Sequence, residues 1–148
     1  MASELTTNWG VDWAWGLLLI VLTVVFHAYC LGLLNKEVAV KLTDSRTFWR
    51  LPTGSIVLIG GAALSTSLFH GTECLAWAIT YRILGALSDS KSAVLYSLNA
   101  MTSYGHASLH LEPRWQLMGA LEALNGWILF GLTTAYLFTV MQKVWSRG

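Results

Sequence analysis

Uncharged apolar runs set the organisation of this chain. From Trp13 to Leu34 there are 22 residues without a formal charge, and roughly 20 suffice to cross a bilayer as a helix. A second uncharged run, Gly54 to Thr72, resumes after Glu73 as far as Tyr81 and, past Arg82, to Leu87. At about 1.5 Å per residue that stretch would be about 50 Å long, which predicts a tilted helix projecting beyond one face of the membrane. The third segment, Trp115 to Trp145, has its clean apolar centre between Ala123 and Met141. Between the second and third lies a shorter apolar run that begins at Ser92 and closes on the small-polar turn Thr102-Ser103-Tyr104-Gly105-His106. Its apolar part, about ten residues, is too short to span. The pattern predicts a short helix that dives in, turns and climbs out, which non-helical backbone can do only where protein or a water-filled cavity surrounds it.

Local signals fit these elements. Pro52 and Pro113, the only prolines, stand just before the second and third long segments, where a missing N–H costs no hydrogen bond. Ser88, Asp89 and Ser90 are N-cap candidates for the short helix. Periodicity within the helices says little, because lipid-facing and core-facing positions are both apolar.

Composition confirms the class. Of 148 residues, 55% are hydrophobic and 11% charged, against roughly 25% charged in soluble domains. This is an integral membrane chain of one domain, so any pore needs several copies. Its net charge of +1 comes with scattered rather than clustered basic residues, so nothing points to nucleic acid and no such partner is expected. Cys30 and Cys74 sit inside apolar segments and read as small core hydrophobes. The amino terminus carries Glu4 and Asp12 with no basic residue before its apolar run, unlike a secretory signal.

Basic residues orient the chain. Lys36, Lys41, Arg46 and Arg50 of the first loop and Lys143 and Arg147 of the tail stand against Lys91, Arg114 and Arg82. Six against three places the first loop and C-terminus in the cytoplasm and the N-terminus outside. Trp9, Trp13, Trp15 and Trp115 then fall at one interface, and Trp49 and Trp145 at the other.

The order long helix, short helix, Thr102-Ser103-Tyr104-Gly105-His106, long helix resembles the pore module of tetrameric potassium-type channels, whose filter reads TVGYG. Around it, Glu73-x-x-x-Trp77-Ala78-x-x-Tyr81-x-x-x-Gly85, Ala93-x-x-Tyr96-Ser97 and Arg114-Trp115-x-Leu117-x-Gly119-x-Leu121-Glu122-Ala123-x-Asn125-Gly126 look like small bacterial two-helix-pore ion channels. The resemblance covers about Phe69 to Gln142. It implies an all-α fold of three transmembrane helices plus a re-entrant pore helix and filter loop, assembling as a homotetramer in the inner membrane of a bacterium. Residues 1–50 are then an extra, peripheral helix with its cytoplasmic loop, and residues 51–148 the pore module. No voltage-sensor pattern of regularly spaced arginines occurs in the first helix.

The filter is expected at Met101, Thr102, Ser103, Tyr104 and Gly105, of which only Tyr104 and Gly105 match the pattern. Ser103 carries a Cβ where the pattern has glycine, so its backbone is expected to avoid the left-handed region. Fewer carbonyl rings and weaker selectivity among monovalent cations would follow, potassium being the ion the resemblance implies. A plain surface turn is the simpler reading. At the pore mouth, a ring of His106 would titrate near neutral pH; solvated loop residues are the simpler reading of His106 and His110.

Ionisable groups inside membrane segments normally face protein or a cavity. His70 and Glu73 share a helix face at i and i+3, Glu122 and Asn125 are similarly spaced on the third helix, and His27 lies in the first. Three readings are open: a hydrogen-bonded lock between the outer helix and the pore helix, a cation attractor at Glu122, or a metal site of His27, His70, Glu73 and Glu122. Gly119, Ala123 and Gly126 form a small-residue face. In channels of this kind the inner helix bends at a glycine, which makes Gly126 and Gly131 hinge candidates; close helix packing alone would explain either equally well. No nucleophile–base pair with recognisable spacing appears, so neither an enzyme nor a small-molecule substrate is expected. A relative that no longer conducts, serving as a structural or regulatory subunit, is the alternative within the class; a small helical membrane metal-binding protein using His27, His70, Glu73 and Glu122 is the alternative outside it.

Overall fold

The computed structural model describes residues 9–43, 51–105 and 109–146. His106 of the expected pore mouth lies outside them, as do Arg46, Trp49, Arg50 and Arg147 of the charge and interface assignments. All regular structure among the described residues is helical: α1 (Trp9–Thr43), α2 (Pro52–Ile83), α3 (Ser90–Met101), a 3-10 turn (Pro113–Trp115) and α4 (Gln116–Trp145). Three of these are long and apolar enough to cross a membrane: α1, α2, and α4 together with its leading turn.

The starts and stops follow from local chemistry. Pro52 opens α2 at its first turn, and Pro113 opens the 3-10 turn before α4. Asp89 caps α3, its carboxylate accepting from the backbone N–H of Lys91 (3.3 Å) and Ser92 (2.7 Å). The Ser92 hydroxyl, followed by these backbone N–H groups, holds the Asp89 carboxyl below its usual 3.8. The cap is therefore complete above the ordinary carboxylate range and is lost as pH falls through the lowered value.

Two helix ends share one device. At the end of α2, Ala86 N–H reaches Tyr81 O (2.9 Å) and Gly85 N–H reaches Arg82 O (3.2 Å), with Gly85 at φ 67°. At the end of α3, Tyr104 N–H reaches Asn99 O and Ser103 N–H reaches Ala100 O, both at 3.0 Å. Both are Schellman caps, in which the residue after the cap is left-handed. In α3 that residue is Ser103, at φ 54°. The expectation that its Cβ keeps it out of this region is overturned. Two backbone hydrogen bonds hold it there against a steric cost of about 1–2 kcal/mol.

Contacts along the helices give the topology. Gly16 packs on Leu121, and Lys143 Nζ donates to Asn35 Oδ1 (2.7 Å). Hence α1 and α4 run in the same direction, and α1, expected as a peripheral addition, lies along α4. The opposite course of α2 appears in its pairing of His70 with Thr133 (3.0 Å) and of Tyr81 with Glu122 (2.7 Å). Helix α3 sits between α2 and α4, burying Ala93, Tyr96, Ser97, Ala100 and Met101. Its other face leaves Leu95 and Leu98 exposed. After the turn the chain returns to the end from which α3 set out, where Glu112 N–H meets Ala86 O (3.3 Å).

Packing is reversed relative to a soluble bundle. Leu22, Val25, Ile56, Leu64, Leu68, Ile79 and Ile83 face outward, while Thr23, His27, Thr66, Glu73, Glu122 and Asn125 are buried. An apolar surface of this extent fits lipid, not water. Trp9, Trp13, Trp15 and Trp145 are exposed at the helix ends, as interface residues should be. Trp115 instead packs into the core beneath the Arg114 guanidinium, 5.4 Å from its ring.

Replacing Ser103 by glycine removes the left-handed penalty without touching either cap hydrogen bond. Ser103→Gly should raise unfolding stability in mild detergent by about 1 kcal/mol, read as a higher melting temperature; a drop would mean the serine side chain itself holds the turn.

Candidate functional site

Three polar sites lie along the helix interfaces, all built around α4. The first centres on Glu122, which is fully buried. Tyr81 Oη donates to Glu122 Oε2 (2.7 Å), joining α2 to α4. Ser97 of α3 contacts Glu122 Oε1 and donates to the Cys74 carbonyl at 2.8 Å. A carbonyl only accepts, and a serine has one proton. With that proton given to Cys74, the group facing Ser97 completes the contact best by donating. Glu122 thus ties the short helix to both of its neighbours.

Asn125 makes the second site. Its Nδ2 donates to Thr23 Oγ1 (2.9 Å), whose own proton goes back to Leu19 O (2.8 Å). Asn125 therefore serves α1, although it is only one turn from Glu122.

The third site is a closed ring of four side chains from three helices. Glu73 Oε1 lies 2.7 Å from His27 Nδ1, and Glu73 Oε2 lies 3.4 Å from His70 Nδ1. On the far side of both imidazoles, His27 Nε2 and His70 Nε2 approach the same Thr133 hydroxyl, at 2.9 and 3.0 Å. The His27 and His70 rings are 5.0 Å apart, and His70 stacks on Phe130 (4.6 Å). His27 and Glu73 are fully enclosed, and His70 keeps 14% of its side chain exposed.

Of the sequence-derived set, His27, His70 and Glu73 come together and Glu122 does not. A four-residue site that includes Glu122 is therefore excluded by geometry, since Glu122 is held by Tyr81 and Ser97. The lock is also divided otherwise than expected. Glu122, not Glu73, fastens the short helix, while Glu73 joins α1 to α2. Thr133, Tyr81, Ser97 and Thr23 complete these sites and were not singled out for them by sequence reasoning.

The residues assigned to the filter form the end of α3. Met101 is its last residue, buried, with its carbonyl against Gly126 of α4. A Cβ on Gly126 would overlap that carbonyl oxygen, so close packing accounts for this glycine. Gly131 has open space around it. Thr102, Ser103, Tyr104 and Gly105 are all exposed, Tyr104 to 85%.

No family model, curated protein or solved structure matches the chain.

Truncating Glu122 strands the Tyr81 hydroxyl in an apolar interior and leaves Ser97 only its bond to Cys74. Glu122→Ala should cost about 1–3 kcal/mol of stability, and Glu122→Gln, able to accept from Tyr81 and donate to Ser97, well under half of that. Thermal unfolding in mild detergent reads both, and equal losses would contradict the assignment of donors.

Proposed function

We propose that this chain is one subunit of a homotetrameric pore-loop cation channel, with potassium as the permeant ion. The observation that carries the reading is the course of residues 84–112. A 12-residue helix of roughly 18 Å leaves one end of the bundle and runs inward between two spanning helices. Its last carbonyl rests on Gly126, the eleventh residue of α4, and the chain then returns to its starting end.

Electrostatics supports a cation over an anion. The carboxyl end of a helix carries a partial negative charge, and Thr102 to Gly105 lie at that end of α3. They are also a continuous exposed run at the inner end of this hairpin, placed where their carbonyls can meet copies from other subunits. One chain of three spanning helices has no conduction path of its own. Four chains around an axis at Tyr104 and Gly105 supply one, with the exposed α4 residues Trp127, Gly131, Thr134 and Phe138 turned to neighbours or to the cavity.

A specific feature favours a second reading. Met101 to Tyr104 are closed as a helix cap by two backbone hydrogen bonds, and a ladder of inward carbonyls requires that cap to open. A chain that keeps the cap closed in the tetramer is a structural or regulatory subunit that does not conduct. The weak selectivity expected from Ser103 loses its premise, because this residue already has the backbone that glycine would have.

Assembly is the test. The mass of the protein in mild detergent and in nanodiscs should correspond to four chains, and Tyr104→Cys should cross-link between subunits under mild oxidation. A monomer or dimer in both media would overturn the proposal.

A further inference from the structure

The ring of His27, His70, Glu73 and Thr133 is one proton short. It contains four polar contacts: Glu73 with each Nδ1 and Thr133 with each Nε2. Two neutral imidazoles bring one N–H each, a threonine brings one O–H, and a carboxylate brings none. Three protons cannot serve four contacts. If both Nδ1 atoms are protonated, the two Nε2 lone pairs converge on a hydroxyl that can donate to only one. If His70 carries its proton on Nε2 instead, its Nδ1 lone pair faces Glu73 Oε2, and these two buried atoms have no hydrogen-bond partner. With Glu73 ionised, every arrangement of neutral rings leaves two acceptors facing one another in an interior that cannot solvate them.

One further proton or one bound cation removes the conflict, and the arrangement favours a metal ion. We propose that His27 Nε2 and His70 Nε2 hold a late first-row transition-metal ion, zinc or copper, with Thr133 Oγ1 as a third donor and Glu73 as the anchor of both rings. Three features carry this. The two Nε2 atoms point at one position, each about 3 Å from the same oxygen. Metal bonds of about 2.0–2.1 Å at tetrahedral angles separate ligand atoms by roughly 3.3 Å, so a small outward movement suffices. A carboxylate on the distal nitrogen of each imidazole is the usual support of a metal-binding histidine, fixing its tautomer and ring orientation; here one glutamate does this for two rings.

Ligand chemistry narrows the ion. Imidazole suits zinc, copper, nickel and iron, whereas magnesium and calcium take all-oxygen sites. The negative charge on Glu73 offsets the ion's charge, which hydrocarbon surroundings require. His70 is the member of the ring that reaches the surface, beside exposed Phe130, and gives the entry route. Because α1, α2 and α4 each supply a ligand or its anchor, the ion would clamp the three spanning helices together. The site is independent of the α3 turn, so it stands whether or not the channel reading does.

The test uses the full chain in detergent, freed of any histidine tag and of metal by chelator dialysis. Zn2+, Cu+ and Mg2+ are titrated separately, with metal content measured after desalting. Zinc or copper should bind at one ion per chain and raise the melting temperature, and Mg2+ should do neither. His27→Gln plus His70→Gln should abolish binding. Glu73→Gln should keep the stoichiometry and weaken affinity by about 10–100-fold. Co2+ loaded into the unmodified protein should give the visible absorption of a low-symmetry nitrogen–oxygen site, a readout free of any variant's folding. No binding above an empty-detergent control, binding that survives loss of both histidines, or equal binding of Mg2+ would overturn the proposal, leaving a proton as the fourth charge.

Discussion

Polar groups buried between these helices gain most by finding partners inside the protein, because hydrocarbon offers none. Most of the architecture follows from that constraint. Where α3 meets its neighbours, Glu122 receives Tyr81 and touches Ser97. About one turn on, Asn125 reaches across to Thr23. Two turns further, Thr133 meets His27 and His70, and near the far end Lys143 meets Asn35. Apolar side chains slide past one another at little cost when lipid is as apolar as they are. These four levels of polar contact give the bundle its register.

The same constraint accounts for what could be read in the chain. Helix number and the sites of Pro52, Pro113 and Asp89 were legible, because length, missing N–H groups and capping carboxylates are local properties. Partners were not. Glu122 is 41 residues from Tyr81 and 25 from Ser97, and nothing in an all-apolar helix marks which face is inward. Thr133 was hidden for another reason. Threonines in apolar helices commonly satisfy themselves on the preceding turn, as Thr72, Thr134 and Thr139 do here, and one that reaches another helix has no sequence mark.

Ser103 shows how a rule based on a single residue fails. A side chain does disfavour the left-handed region, yet the penalty is small beside a cap that closes two hydrogen bonds and lets Tyr104 leave the helix. Gly126 is the converse case. Of its two readings, hinge and close packing, the structure fits the second, because the Met101 carbonyl occupies the space where a side chain would be. Here the glycine permits α3 to lie against α4, and the depth of the turn depends on it.

Whether the turn after α3 passes ions is the question on which the functional account rests. The direct measurement is potassium and sodium uptake into liposomes that carry the purified protein at a known number of chains per vesicle. The account predicts cation uptake that scales with protein, with potassium faster than sodium and chloride excluded. Vesicles that contain intact tetramers yet are no more permeable to either cation than protein-free vesicles would contradict it.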